Sequence, residues 1–485
     1  MKQFFKSISI LILTSALYMI GWKLNIVEHP LWVQVVMVFA LASLPVIGMM
    51  MNDRGIKDTE CIAVLIMAAG MIMRIGYLIY TPCTLRQHDL GLFDLESGGH
   101  ASYILTIMQK GQLPASNVFE FYQQPFFYLI GSAVSFVVTH ILDTSSSIDL
   151  VDASRIVSCV ASCLVIPASD ALFRICRLGS KGRIAALSFV AFSPVFYLTG
   201  GTVGPDALCT LFMVLAVLYT LKWYHNPSVK HTLLLAIIYG LGVLTKISVS
   251  VIAFFTMIVF VYKFIHAVNE RQWRSLFGKF VLFGVISLPL GLWYCVRNYI
   301  LFGQSPGYVV DLCGKDSSYY TGEHSILQRL FFVSLENVFN SPYVNVKDDY
   351  NAPVYYIKSS LFGEFTFDIP GFIPAILFYA AIALAVIFVA AFVWQVSQGR
   401  KNKFAYVIPA VIVLFYGSVT YFYIRYPYGC SMDYRYMGLL SVLAAVLIGN
   451  FYENSKWKLV KERRIVEGVL GCYGVSSIIM FLLVP

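Results

Sequence analysis

Residues 123–140 read QQPFFYLIGSAVSFVVTH, and whether this stretch crosses a membrane decides the orientation of everything after it. It is apolar enough to count as a span. If it crossed, the later loops would invert, and the basic clusters Arg174, Arg177, Lys181, Arg183 and Lys456, Lys458, Lys461, Arg463, Arg464 would face outside. If it lies along the outer surface, together with the helical stretch 99–110 before it, those clusters face the cytoplasm. So do Lys263, Arg271, Arg274, Lys279 and the Arg400, Lys401, Lys403 group. Cytoplasmic loops collect Lys and Arg, so the second arrangement is expected, with both stretches as helices in the membrane interface.

Composition sets the class. The chain is 58% hydrophobic and only 13% charged over 485 residues, against about 25% charged in a soluble domain. Apolar runs recur along it, each long enough as a helix to cross about 30 Å of hydrocarbon. The expected fold is an all-α polytopic bundle of about thirteen spans, with the N-terminus cytoplasmic and the C-terminus outside. The spans fall near 1–22, 31–51, 61–80, 155–175, 184–201, 207–223, 232–248, 249–266, 280–296, 371–394, 404–424, 437–452 and 466–484. The formal charge of +9 is accounted for by basic loops and anionic lipid headgroups, and no nucleic-acid partner is expected. Cys159 and Cys163 sit in an apolar run and no zinc or redox spacing appears. Cys83, Cys313 and Cys430 fall in outer loops, where a disulfide is open.

Upstream of the deciding stretch, residues 84–104 read TLRQHDLGLFDLESGGHASYI. This is the densest ionisable cluster in the N-terminal third, holding Arg86, His88, Asp89, Asp94, Glu96 and His100. Charge is costly in hydrocarbon and cheap at its surface, so a polar knot at the mouth of a span is either a solvated loop or a site. A carboxylate here would serve as general base or hold a cation. Arg74, within the preceding span, is expected to snorkel outward or to pair with an acid of this loop.

Downstream, Asp206 in GGTVGPDAL starts a span after Gly204 and Pro205, a position that suits helix capping as well as function. Lys246 in LGVLTKIS, Arg297 in WYCVRN and Arg435 in SMDYRY fall at the outer membrane edge, placed to meet a phosphate. The long outer loop 297–370 is rich in Tyr and Phe, which either stack on a sugar face or pack on the bundle. The chain divides into two extra N-terminal helices (1–60), a transmembrane module (61–298) with its outer loop at 81–154, the aromatic loop (299–370) and C-terminal helices (371–485).

In this order the features resemble the C-type superfamily of membrane glycosyltransferases. Within it they resemble the branch of dolichyl-phosphate-mannose protein mannosyltransferases and lipid A aminoarabinose transferases, glycosyltransferase family 39. The resemblance covers roughly residues 61–298. It rests on the acidic first loop, YILTIMQKGQLP, YQQPFFYLIG in place of a Pro-Pro-Leu turn, SRIVSCVASCLVIP, SPVFYLTGGTVGPDAL and GLGVLTKIS. It implies a fold with two interfacial helices in the first outer loop. It also implies transfer of one sugar from a polyprenyl-phosphate donor to a protein, glycan or glycolipid acceptor on the outer face of a bacterial plasma membrane, with inversion.

A first-loop acid would deprotonate or orient the acceptor, with Asp89 first and Asp94 or Glu96 as alternatives. Arg86, His88, His100, Asp206, Lys246, Arg297 and Arg435 would bind substrate. Many members carry an Asp-Glu pair before the Tyr of the first interfacial helix, where this chain has Gly99 and His100 before Tyr103. No cofactor is required by the sequence; a divalent cation is compatible with the chemistry, and no ligand spacing demands one. The rival readings are a transporter or flippase of a lipid-linked saccharide, whose paired halves are not visible, and a non-catalytic envelope assembly factor.

Overall fold

The computed structural model describes residues 2–269, 273–310, 314–333, 335–399, 403–455 and 460–484. Arg271, Arg400, Lys401, Lys456 and Lys458 of the basic clusters, and Cys313, lie outside the described residues. Among the described residues the regular structure is all helical, apart from one isolated bridge between Tyr320 and Tyr428. Cys83 and Cys430 are not disulfide-bonded.

Among the described residues ten helices are long and apolar enough to cross a membrane, or eleven when Ser180–Phe192 and Pro194–Gly200 are taken as one bent span. The two remaining expected spans correspond to the shorter apolar helices Ser7–Lys23 and Val229–Thr245. The latter has 17 residues, a rise of about 25 Å at 1.5 Å per residue. The apolar stretch 123–140 forms the helix Phe126–Leu142, also of 17 residues, preceded by His100–Lys110. The two helices expected in the first loop are therefore both present.

The chain condenses into two compact units, each built from three segments: Met1–Lys23, Pro82–Ile175 and Gly200–Val310 in the first, and Leu24–Thr81, Cys176–Thr199 and Asp311–Pro485 in the second. In the first unit, helices Val229–Thr245 and Trp273–Phe302 cross closely because both present glycine at the crossing. A Cβ at Gly240 would stand 2.6 Å from Leu290 Cδ2, and one at Gly291 would meet Val243 at 3.1 Å. Small residues let helix backbones approach where lipid supplies no hydrophobic drive. In the second unit Gly182 and Gly449 do the same, each Cβ position falling within 2.5 Å of the other's carbonyl oxygen.

Arg74 departs from the expected snorkelling. It does not snorkel; it is fully buried in the second unit. Its Nη1 donates to the carbonyls of Gly70 and Ala191, both at 2.8 Å, and its Nη2 to Val190 at 3.0 Å. The reason lies at the bend of 44° between Ser180–Phe192 and Pro194–Gly200. Pro194 has no N–H to give to Val190, four residues back, so that carbonyl would be orphaned in an apolar interior. The guanidinium replaces the missing donor, flanked by the Phe196 and Tyr197 rings, each 5.4 Å from its carbon.

The aromatic loop packs, at least in part, on its own unit. Tyr355, Tyr356 and Phe362 are buried on the helix Ala352–Phe362. Lys358 donates to both Asp349 oxygens, at 3.0 and 2.9 Å, with both side chains buried. His324 stacks on Tyr350 with centroids 3.7 Å apart.

Candidate active site

The first unit gathers most of the expected residues at one end of its helices. The loop after Pro82 folds back onto the start of the helix His100–Lys110. The His100 N–H donates to the Asp89 carbonyl at 3.0 Å and the Ala101 N–H to Leu90 at 2.9 Å, so the loop satisfies two donors that a helix start leaves open. Arg86 and Asp89 take positive φ, 56° and 54°, to make the turn. Gly99 is required here, since a Cβ would stand 2.3 Å from the Leu90 carbonyl oxygen and 2.5 Å from Gly91. An acidic side chain at position 99, as in the family's Asp-Glu pair, has no room.

Beneath the loop, the junction 200–206 is pinned from two sides. Gln87 donates to the Gly201 carbonyl at 3.1 Å and accepts from the Val203 N–H at 2.8 Å. From the helix Ser147–Ile175, Arg155 donates to Gly201 at 3.1 Å and Ser158 to Gly204 at 3.2 Å. Arg155 is itself set by Asp152 at 2.6 Å. Asp152 also accepts from the Cys83 N–H at 2.6 Å and the Tyr18 hydroxyl at 2.5 Å. Burial, and then the Asp152 charge, push the Cys83 thiol well up, which keeps it protonated and removes it as a nucleophile.

Asp206 is the first residue of the helix Asp206–His225, where the positive end of the helix favours a carboxylate. It pairs with the ammonium of Lys246, and both side chains are mostly buried, 8% and 17% exposed. Lys246 reaches it because the helix Val229–Thr245 stops there. Lys246 is extended at φ −158°, and the next helix starts at Ser250 after a short 3₁₀ turn, so the expected break between two spans is real. Gln124, one of the two glutamines of YQQP, accepts from the Ile247 N–H at 3.2 Å and ties this break to the first loop. Arg297, near the end of Trp273–Phe302, donates to the Pro114 carbonyl at 2.5 Å and to Asn298 Oδ1 at 2.9 Å.

Between these groups stands a column of aromatic rings. Tyr103 stacks on Tyr128 with centroids 3.8 Å apart, and its hydroxyl donates to Tyr294 at 2.8 Å. Tyr294 in turn donates to the Phe121 carbonyl at 2.9 Å. Tyr128 shares a 2.7 Å hydrogen bond with His100 Nδ1. The His100 ring lies over the junction, since a Cβ at Gly204 would be 3.5 Å from its Nε2.

The structure thus brings His100, Asp206 and Lys246 together at the 200–206 junction, with Asp89 at the loop that folds onto the His100 helix and Arg297 elsewhere in the same unit, and with Arg86 and His88 half-buried on that loop. Asp94 and Glu96 are arranged differently. Asp94 Oδ1 accepts from the Ser97 N–H at 2.7 Å and the Glu96 N–H at 2.8 Å, a local Asx-type turn. These bonds hold its carboxyl below the usual range. Their contribution is present above the ordinary carboxylate pKa and lost as pH falls through the depressed one. Asp94→Asn keeps an oxygen acceptor and is expected to leave loop order and activity near wild type, whereas Asp94→Ala should loosen residues 92–97; hydrogen exchange of the loop amides checks both. Arg435 belongs to the second unit, where its guanidinium lies over the Tyr436 ring and donates to its hydroxyl at 2.8 Å, with Asp433 Oδ2 at 3.4 Å.

Gln87, Gln124, Tyr128, Asp152, Arg155 and Ser158 were not singled out from sequence. Gln87 and Gln124 sit inside the quoted TLRQHD and YQQP runs, Tyr128 in YQQPFFYLIG, and Arg155 and Ser158 in SRIVSCVASCLVIP, and that adjacency was the one available signal. Asp152 lies just outside them, on a helix whose polar residues look like ordinary core positions.

Residues 133–294 match the family model described as dolichyl-phosphate-mannose-protein mannosyltransferase. The match supports the resemblance to C-type membrane glycosyltransferases. Among solved structures, the chain is similar to the oligosaccharyltransferase AglB from Archaeoglobus fulgidus in complex with an inhibitory peptide and a dolichol-phosphate. There the identity is 12%, the TM-score 0.46, and the likeness covers 87% of this chain and 55% of that one. It is also similar to ArnT from Cupriavidus metallidurans, at 15% identity, covering 80% of this chain and 76% of that one, with TM-scores of 0.38 for the apo state and 0.36 for the state bound to undecaprenyl phosphate. The chain thus spans about half the length of AglB. No match was found among curated proteins.

Proposed function

We propose that this chain is a membrane glycosyltransferase that moves one sugar from a polyprenyl-phosphate-linked donor to an acceptor on the outer face of a bacterial plasma membrane, with inversion. The observation that carries the reading is that His100, at the start of the helix on which the Asp89 loop folds, lies against Gly204, two residues before the Asp206 that pairs with Lys246. The family match at residues 133–294 supports it.

The chemistry follows from the groups. As the bond from the anomeric carbon to phosphate breaks through an oxocarbenium-like state, negative charge grows on the departing polyprenyl phosphate. Lys246 and Arg297 stabilise that charge where water is scarce. Arg297 spends two donors on Pro114 and Asn298, so it acts through its charge and remaining N–H groups. Asp206 holds the ammonium of Lys246 in place until phosphate arrives. Asp89, held in a left-handed turn by the start of the helix, orients the acceptor hydroxyl. A divalent cation, where bound, would share the phosphate-binding role.

The test is transfer of radiolabelled sugar from a panel of polyprenyl-phosphate sugars by purified protein in nanodiscs. Asp89→Asn is expected to lower transfer about 100-fold or more, the loss typical of removing a positioned acid or base, while donor binding persists. Full activity in Asp89→Asn together with loss in Glu96→Gln moves the acid to Glu96. Donor binding and translocation by wild type without turnover, across every donor and acceptor class tried, overturns the reading in favour of a transporter.

A further inference from the structure

We infer that His100 is the group that takes the acceptor's proton, replacing a carboxylate, and that Tyr128 is its positioning residue. The inference rests on the glycosyltransferase reading above and deepens it. Two observations carry it. Position 99 cannot bear an acidic side chain, because the Leu90 carbonyl and the Gly91 backbone occupy the space where its Cβ would stand. The adjacent buried His100 is instead fixed at Nδ1 by the Tyr128 hydroxyl, 2.7 Å away, while its Nε2 edge lies against Gly204, two residues before Asp206.

The column behind Tyr128 makes that hydrogen bond rigid. Tyr128 is clamped by the parallel ring of Tyr103, whose own hydroxyl is held by Tyr294. When Nδ1–H donates to the Tyr128 oxygen, Nε2 is the nitrogen that carries the lone pair, on the ring edge that lies against the junction ending at Asp206. The other ionisable groups on the elements packed around His100 are Arg86, His88, Asp89, Asp94 and Glu96 on the loop, Glu120 on the turn Phe119–Tyr122, Asp149, Asp152, Arg155, Asp170 and Arg174 on Ser147–Ile175, and the Asp206–Lys246 pair. A neutral imidazole is a base whose ordinary strength suits a hydroxyl that becomes acidic only as the glycosyl bond breaks.

The step balances. The acceptor oxygen forms its bond to the anomeric carbon as the bond from that carbon to the phosphate oxygen breaks. The electron pair leaves on polyprenyl phosphate, and the acceptor's proton goes to His100 Nε2. The imidazolium, its Nδ1–H on Tyr128, then returns the proton to water. Asp89 orients the acceptor and takes no proton.

The experiment is the pH profile of kcat for transfer in nanodiscs, with polyprenyl-phosphate binding measured alongside. Wild type should lose activity on the acid side with one ionisation. His100→Gln should lower kcat about 100-fold with donor affinity unchanged. His100→Glu should recover much of that loss and move the acid limb about two pH units lower, the difference between the two side chains' ordinary pKa values. Tyr128→Phe removes the acceptor that stabilises the imidazolium, so its acid limb should also move down, with only a few-fold loss in rate. Asp89→Asn should lower the rate without moving the limb. An unshifted limb in both His100→Glu and Tyr128→Phe overturns the inference, as does a His100→Gln rate within about threefold of wild type; if His100→Gln fails to fold, Tyr128→Phe decides. Absence of transfer by wild type from every donor sinks the glycosyltransferase reading itself, a result distinct from transfer with unmoved limbs.

Discussion

Lys246→Met is expected to lower sugar transfer by about 1,000-fold, the upper end of what loss of one preorganised charge at a developing anion costs. The same change leaves the Asp206 carboxylate mostly buried without its ammonium. Breaking one side of such a pair costs about 3 kcal/mol of stability. The two effects separate in the double variant. Asp206→Asn with Lys246→Met removes both charges, so the stability loss should largely vanish while transfer stays absent. Thermal unfolding in detergent reads the first and the labelled-sugar assay the second. Activity that returned with stability would reduce Lys246 to a structural partner of Asp206.

Arg74→Leu is expected to destabilise the protein by about 3 kcal/mol or more without any contact to substrate. It removes the donors to Val190 and Ala191 at the bend before Pro194, and a buried unsatisfied carbonyl costs about 1–3 kcal/mol. The mechanism makes a sharper claim. Pro194→Ala restores a backbone N–H four residues after Val190, so Arg74→Leu should cost less in that background than in wild type. A lower unfolding midpoint for the single variant and partial recovery in the double is the expected pattern. Equal losses in both backgrounds would mean that Arg74 works through packing against Phe196 and Tyr197 instead. Arg74→Lys should rescue poorly, since one compact ammonium cannot match a guanidinium fork spread over three carbonyls.

Arg74 also shows where reading a sequence stops. An arginine a turn and a half inside a span has several ordinary fates, and the deciding partner is a carbonyl more than a hundred residues away. Pro194 was visible, but which helix would lie beside it was not. Asp94 is a second case. Its composition-level likeness to Asp89 and Glu96 hid a local turn, written in the DLES run, that ties up its carboxylate. His100 is the third, because its identity was plain while the ring that fixes it, Tyr128, lies on another helix.

The sequence by itself determined the class: an apolar, helical, multi-span chain, two helices in the first loop, a break at Lys246 and the resemblance over residues 61–298. These follow from hydropathy, charge bias and short motifs, which are local properties of the chain. The tertiary structure alone decided which charges meet. Asp206 and Lys246 are 40 residues apart, and Gln87 reaches Gly201 across 114. Such pairings depend on the rotation and crossing of helices, set by glycines at 240 and 291 and by side chains that pack. A periodic apolar pattern leaves that rotation open, because in hydrocarbon every face of a helix can be apolar and only the close contacts choose one.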